Sequence, residues 1–302
     1  DALATALSES GVQNDLFQQL SECISACRTY LAAKARESDY AVSLGIYCQE
    51  VCEVTAQGCR DFDPILANRC RKACENALKI INLYRWLADL PPVTTDASRD
   101  ALNQECALMM HANGSLSHSP PTSWACYTSD GASGAGSSNI ATTPGVQAVD
   151  LYMVDPGNET TIGHRRWILS NSLGPTGLGS TNGYSCMWTL GGSGSAGAPW
   201  TAWPPPGPFP IGAVAPSWTS IDATGWTIQS DSINLSSATV TVTAGSTDMP
   251  VNVSSLLGGY GSSHAIKFVP NGWTTAAGTT YTVDVTGISS PISYDVQVVS
   301  CD

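Results

Sequence analysis

The chain has 302 residues, enough for two or three domains with separate cores, and 42 % of them are hydrophobic and 13 % charged. A net charge of −12 argues against a nucleic-acid partner, which needs a basic face, and no apolar run approaches the roughly 18 to 20 residues of a membrane span. Eleven cysteines, eight of them before residue 110, favour an oxidising, extracellular location.

The start at Asp1, with no Met or signal peptide, reads as a processed mature chain. Sequons begin at Asn113, Asn158, Asn234 and Asn252 and matter only if the source glycosylates.

Residues 1–90 are helical in pattern. Three Cys-x-x-x-Cys pairs recur, Cys23/Cys27, Cys48/Cys52 and Cys70/Cys74, and a spacing of four puts both cysteines on one helix face. The first two pairs fit an antiparallel hairpin stapled by Cys23–Cys52 and Cys27–Cys48, with Cys59 taking Cys70 or Cys74. The competing reading is a thiolate-lined bundle holding a soft metal such as copper.

From Ala73 to Leu90 an amphipathic helix runs until Pro91-Pro92 stops it. A second helix is expected near 97–113, with Leu102, Cys106 and Met109 or Met110 inward. Residues 128–145 read as a small-residue loop, 146–154 as a short helix, and Arg166–Leu169 as a strand-like run. Cys106–Cys126 and Cys186–Cys301 are the expected bridges, and Trp124 is expected in the core.

Residues 198–216 hold seven prolines and read as an extended linker, although Trp200, Trp203 and Phe209 suggest that it packs down. Beyond Ser217, alternating runs such as 238–243 and 281–286 predict half-buried strands of an immunoglobulin- or fibronectin-like sandwich, read as a spacer or adhesion module. Twelve of the thirteen Lys and Arg residues precede Trp167. The expected division is 1–72, a Cys-rich helical segment; 73–197; the linker 198–216; and 217–302, the sandwich.

Five motifs in order carry a resemblance: Asn82-Leu-Tyr-Arg85 with Leu90-Pro-Pro-Val93, Gly114-Ser-Leu-Ser-His118, Ser137-Ser-Asn-Ile-Ala141, Ala148–Asp155, and Gly163-His-Arg-Arg-Trp167. Residues 76–190 thereby resemble the CAP superfamily of cysteine-rich secretory, antigen 5 and pathogenesis-related proteins. The resemblance implies an α+β chain whose central α-β-α sandwich has an open cleft where two histidines and two acids converge. It carries over His118, His164 and Asp155. Ser138 stands where the family has its first glutamate, and Glu159 and Asp150 are neighbouring alternatives for the second acid.

Two imidazoles and one carboxylate suffice for Zn²⁺ or another divalent ion with water in the open position. His118, His164 and Asp155 are therefore the expected ligands. A metal-dependent hydrolase using His118 and His164 is one consequence; a Ser138 nucleophile with an imidazole base oriented by Asp155 is another. The leading expectation is a secreted protein binding a metal, a small molecule, a lipid or a glycan, because the missing acid weakens the hydrolytic reading. His111 and His264 match no motif and read as scaffolding. Of Arg165 and Arg166, one is expected at the surface and one beside a cleft acid.

Overall fold

Pro64 opens helix α1 (Pro64–Leu87), a position where its missing N–H costs nothing. The computed structural model describes residues 64–214 and 220–300, with side chains from residue 75 onward except that of 213. The expected cysteine pairings among residues 23–74 lie outside the described side chains. Ala77, Ile81, Tyr84 and Ala88 of α1 and its exit form one buried stripe, the spacing of a helix face. The chain leaves through Asp89, in the left-handed region at φ 54°, and Leu90 N–H donates to Arg85 O at 2.8 Å.

Helix α2 (Ala97–Asn113) is capped at its start by Asp96, whose carboxylate accepts from Ser98 N and Arg99 N, and at its end by left-handed Gly114. It buries Cys106, Met109 and Met110 as expected, with Trp124 packed on that cluster. Residues 128–145 are not a loop. They form helix α3 (Ser129–Gly136), capped by the Thr128 hydroxyl, and strand β1 (Ser138–Ala141). The small residues there reflect close packing: a Cβ on Gly134 would lie 2.5 Å from Leu102 O of α2. Helix α4 (Gly145–Val154) follows. The predicted strand at 166–169 is instead the end of a short helix, α5 (Gly163–Ile168); Arg165, Arg166, Ile168 and Leu169 are all buried, without the alternation of a strand.

Strands β2 (Leu178–Ser180) and β3 (Ser185–Trp188) join β1 in an antiparallel sheet of order β1-β3-β2. Helices cover both faces: Ile140 and Cys186 pack with α2 and α3, while Ala141 and Met187 pack with α1 and α4. Gly179 allows α2 to lie on the sheet, since a Cβ there would fall 2.0 Å from the Asn103 carbonyl carbon. Cys106 of α2 bonds to Cys186 of β3. That bond replaces both expected bridges, because α2 aims Cys106 at the sheet whereas Cys126 sits on an exposed loop; Cys301 is outside the described residues.

The proline-rich stretch is extended but is not a free linker. It supplies β4 (Thr201–Trp203) and β5 (Gly207–Pro210), an edge strand to each of two sheets, then helix α6 (Ile211–Val214). Edge positions tolerate prolines that lack a donor. The first sheet runs β4-β6-β10-β9, with β6 (Trp226–Ser230), β9 (Val251–Ser255) and β10 (His264–Pro270). The second runs β5-β12-β11-β7-β8, with β7 (Thr239–Ala244), β8 (Thr247–Asp248), β11 (Thr280–Thr286) and β12 (Ile292–Val299). Their apolar faces meet: Trp226 stands edge-on to Tyr281 at 5.6 Å, and Trp203 to Phe209 at 5.2 Å.

One continuous core joins this β-rich part to the helical part, through Tyr84 against Trp203 at 5.3 Å. Residues Ala73–Asp302 form a single compact unit. Three buried arginines reinforce the joint or its surroundings. Arg85 donates to Pro91 O, Ile168 O and Ser170 O. Arg165 donates to Met153 O, Val154 O, Gly225 O and two threonine hydroxyls. Arg166 donates to Thr161 O, Leu257 O and Ser262. Neither Arg165 nor Arg166 is the expected surface charge, since both are only 1 % exposed. Burial lowers all three guanidinium pKa values to about 10, which still leaves them charged at neutral pH.

Candidate functional site

Asp155 ends α4 in the left-handed conformation, at φ 58°, with its N–H on Leu151 O. From there its carboxylate turns back under the start of α5. It is fully buried and accepts three hydrogen bonds: from His164 N at 2.9 Å on Oδ2, and from His164 Nδ1 at 2.8 Å and Asn158 Nδ2 at 2.7 Å on Oδ1. Because a carboxylate only accepts, His164 donates from Nδ1, and in its neutral form it keeps the lone pair on Nε2. Tyr152 packs its ring on the imidazole at 5.2 Å and donates its hydroxyl to Asn139 O. Burial pushes that phenol's pKa up, so it remains a donor. Asn139 in turn donates to His164 O at 3.1 Å. Ile162, a β-branched residue at φ 44°, sits just before this turn, a conformation that persists only where its surroundings enforce it.

His118 lies exposed on the loop after α2, and its Nδ1 is 2.9 Å from Ala135 O at the end of α3. A carbonyl also only accepts, so His118 likewise presents Nε2. Both histidines are thus tied to the segment 135–139, His118 through Ala135 and His164 through Asn139. Ser138, in the same segment, is buried and donates to Asn103 Oδ1 at 3.0 Å. Its hydroxyl is committed to α2 instead of to an imidazole.

The structure therefore brings Asp155 and His164 into contact and hangs His118 on the same segment. Asp155 orients an imidazole and has no oxygen turned outward. Among the described residues, no group of three or more His, Cys, Asp or Glu side chains is arranged to hold a metal. The three-residue ligand set does not fit, and the donors left are two imidazole nitrogens. Glu159 is exposed, with its carboxylate on Gly157 N; Asp150 accepts from Tyr84 at 2.7 Å instead of facing the histidines. Of the other histidines, His111 is exposed and bonds Thr181, and His264 lies half-buried in β10.

Three contributors escape sequence reasoning. Asn103 is buried mid-helix and holds Gly177 O as well as Ser138. Asn158 reads as a sequon, yet its side-chain amide is spent on Asp155. The third is the loop between β9 and β10. Leu257 N donates to Thr160 O at 3.0 Å, and Tyr260 lies so close that a Cβ on Gly163 would be 2.8 Å from its ring. The β-rich part thus reaches the residue preceding His164. Glycines at 258, 259 and 261 were its only signal.

The model of the cysteine-rich secretory protein family, CAP, matches residues 78–189. This segment is a CAP domain. A second family, the copper storage proteins, matches residues 3–80. No curated protein and no solved structure matches the chain. The CAP match contains His118, Ser138, Asp155 and His164 and ends within one residue of β3, so the 9 strands of the two further sheets lie beyond it. No helix among the described residues is long and apolar enough to cross a membrane.

Proposed function

We propose that this is an extracellular CAP-family binding protein whose cleft presents His118 and His164 to a ligand. The ligand is a divalent ion of the zinc type, held by the two Nε2 atoms and water, or a hydroxyl-bearing lipid or glycan. The immunoglobulin- or fibronectin-like sandwich extends the domain and supplies a neighbouring loop. One observation carries the reading: a fully buried Asp155 holds Nδ1 of His164 at 2.8 Å, while the imidazole keeps 23 % of its surface exposed. Imidazoles that bind metals or ligands through one nitrogen are commonly fixed in this way through the other. The same pair could orient a base for hydrolysis, but with Ser138 bonded to Asn103 no side-chain nucleophile among the described residues is paired with it.

Zinc titration of the full chain by calorimetry tests this. His118→Ala and His164→Ala should each abolish measurable binding at the site, and Asp155→Asn should weaken it by about 10- to 100-fold. Binding unchanged in both alanine variants removes the metal from the reading.

The copper storage match favours a second activity for the N-terminal cysteines, soft-metal binding by thiolates of Cys23, Cys27, Cys48, Cys52, Cys70 and Cys74. Thiol titration in denaturant decides between this and the disulfide staples. Six or more reactive thiols in protein purified without reductant would support copper; one or two would support staples.

A further inference from the structure

We propose that the groove between the turn at Leu90–Thr94 and the segment 193–196 binds a carboxylate, with the Arg85 guanidinium as its anchor. The groove encloses about 320 Å³ and is lined by Arg85, Pro91, Pro92, Thr94, Ser193 and Ser195, among others. It contains none of His118, Ser138, Asp155 or His164, so it is a second site, independent of the cleft. Its size is at the lower end of ligand pockets, roughly 300 to 1,000 Å³.

Arg85 is the chemical reason for an anion. It is 1 % exposed, and its Nε and Nη1 are satisfied by the carbonyls of Pro91, Ile168 and Ser170. Among the described residues, Nη2 makes no hydrogen bond and no carboxylate pairs with the charge. Buried charges are normally paired, and a planar guanidinium suits a carboxylate. Asp89, four residues on, is exposed in the turn, Asp96 caps α2 and Asp100 accepts from Leu178 N. A second cation stands at the rim, where Arg99 donates to Pro175 O, a residue that also lines the groove.

The walls suit an uncharged, partly apolar body behind the carboxylate. Proline rings form one side. On the other, Gly194 and Ala196 donate their N–H groups inward to Ser172 O and Asn171 O, while Ser193 and Ser195, the alternate residues, are exposed. The carboxylate could belong to a peptide C-terminus or to an acidic sugar, which share this chemistry.

The full chain should be titrated by calorimetry with an acetylated tripeptide acid, the same tripeptide amide, and glucuronate. Saturable binding of either acid is expected, with the peptide acid or the sugar acid identifying the source. If the peptide acid binds, its amide should bind at least about tenfold more weakly, the scale of one charge-assisted hydrogen bond. Ser195→Trp fills the groove from an exposed position, spares Arg85, and should abolish binding without lowering Tm. No saturable binding of either acid, an amide as good as its acid, or full binding in Ser195→Trp each overturns the proposal. Zinc binding at His118 and His164 should be unaffected by Ser195→Trp, which separates the two sites.

Discussion

Arg165→Met is expected to destabilise the unit Ala73–Asp302 by about 3–5 kcal/mol, the range for stripping a buried charged group from its partners. The side chain is wholly buried, and its donors bridge two structures made by distant segments. Nε and Nη2 hold Met153 O and Val154 O at the end of α4, while Nη1 and Nη2 hold Gly225 O and Thr224 Oγ1 at the start of β6. Methionine fills much of the volume but takes the guanidinium donors from Met153 O and Gly225 O, while Val154 O keeps only the Thr224 hydroxyl, and unsatisfied buried acceptors are the costly outcome. Asp155 adds to the effect, because its negative charge helps keep Arg165 protonated, and their attraction disappears in the variant. Arg165→Lys keeps the charge yet cannot span five acceptors, so its loss should be smaller but clear. Urea unfolding followed by tryptophan fluorescence measures both, with Trp203 and Trp226 reporting the joint core. A midpoint for Arg165→Met within about 1 kcal/mol of the parent would show that the guanidinium does not hold the joint.

How much of this was legible in the sequence depends on the kind of signal. Helices α1, α2 and α4 announce themselves through period and caps, as Asp96 and Gly114 do around α2. The alternation in 239–244 and 280–286 likewise shows β7 and β11 directly. His164 and Asp155 were legible through their motifs, and their contact follows from a left-handed turn that a motif can carry. What the sequence hid are contacts made across the fold. Arg165 and Arg166 look like surface charges in any local window, and only the arrival of the segments 224–227 and 257–262 makes them interior clamps. Glycines in 131–136 read as looseness, although they exist because α2 lies against them. The prolines at 204–210 read as a linker because edge strands in two sheets tolerate them, a distinction that depends on neighbours far along the chain. Cys106 had three candidate partners downstream, and choosing Cys186 required knowing that α2 lies across β3.

Replacing Cys106 and Cys186 together by alanine is expected to cost about 4–5 kcal/mol if the bond acts by restricting the unfolded chain, given 80 residues of separation. That closed loop contains His118, Ser138, Asp155 and His164, so the whole candidate site lies inside it. The native geometry should nonetheless survive at low temperature. The register of β1 with β3, Ser138 opposite Trp188 through Ala141 opposite Ser185, is held by backbone bonds, and α2 is seated by Asn103 and Gly179. The double variant should therefore keep its near-ultraviolet circular dichroism and any zinc binding while its urea midpoint falls by about 2 M, the stability loss divided by a typical m-value. A fall of less than about 1 kcal/mol would mean that the unfolded chain is already confined by other links, and the loop-closure account would fail. Parent protein made under reducing conditions should match the double variant, and oxidation should restore its midpoint. A chain that depends on this bond keeps its full stability only where thiols are oxidised.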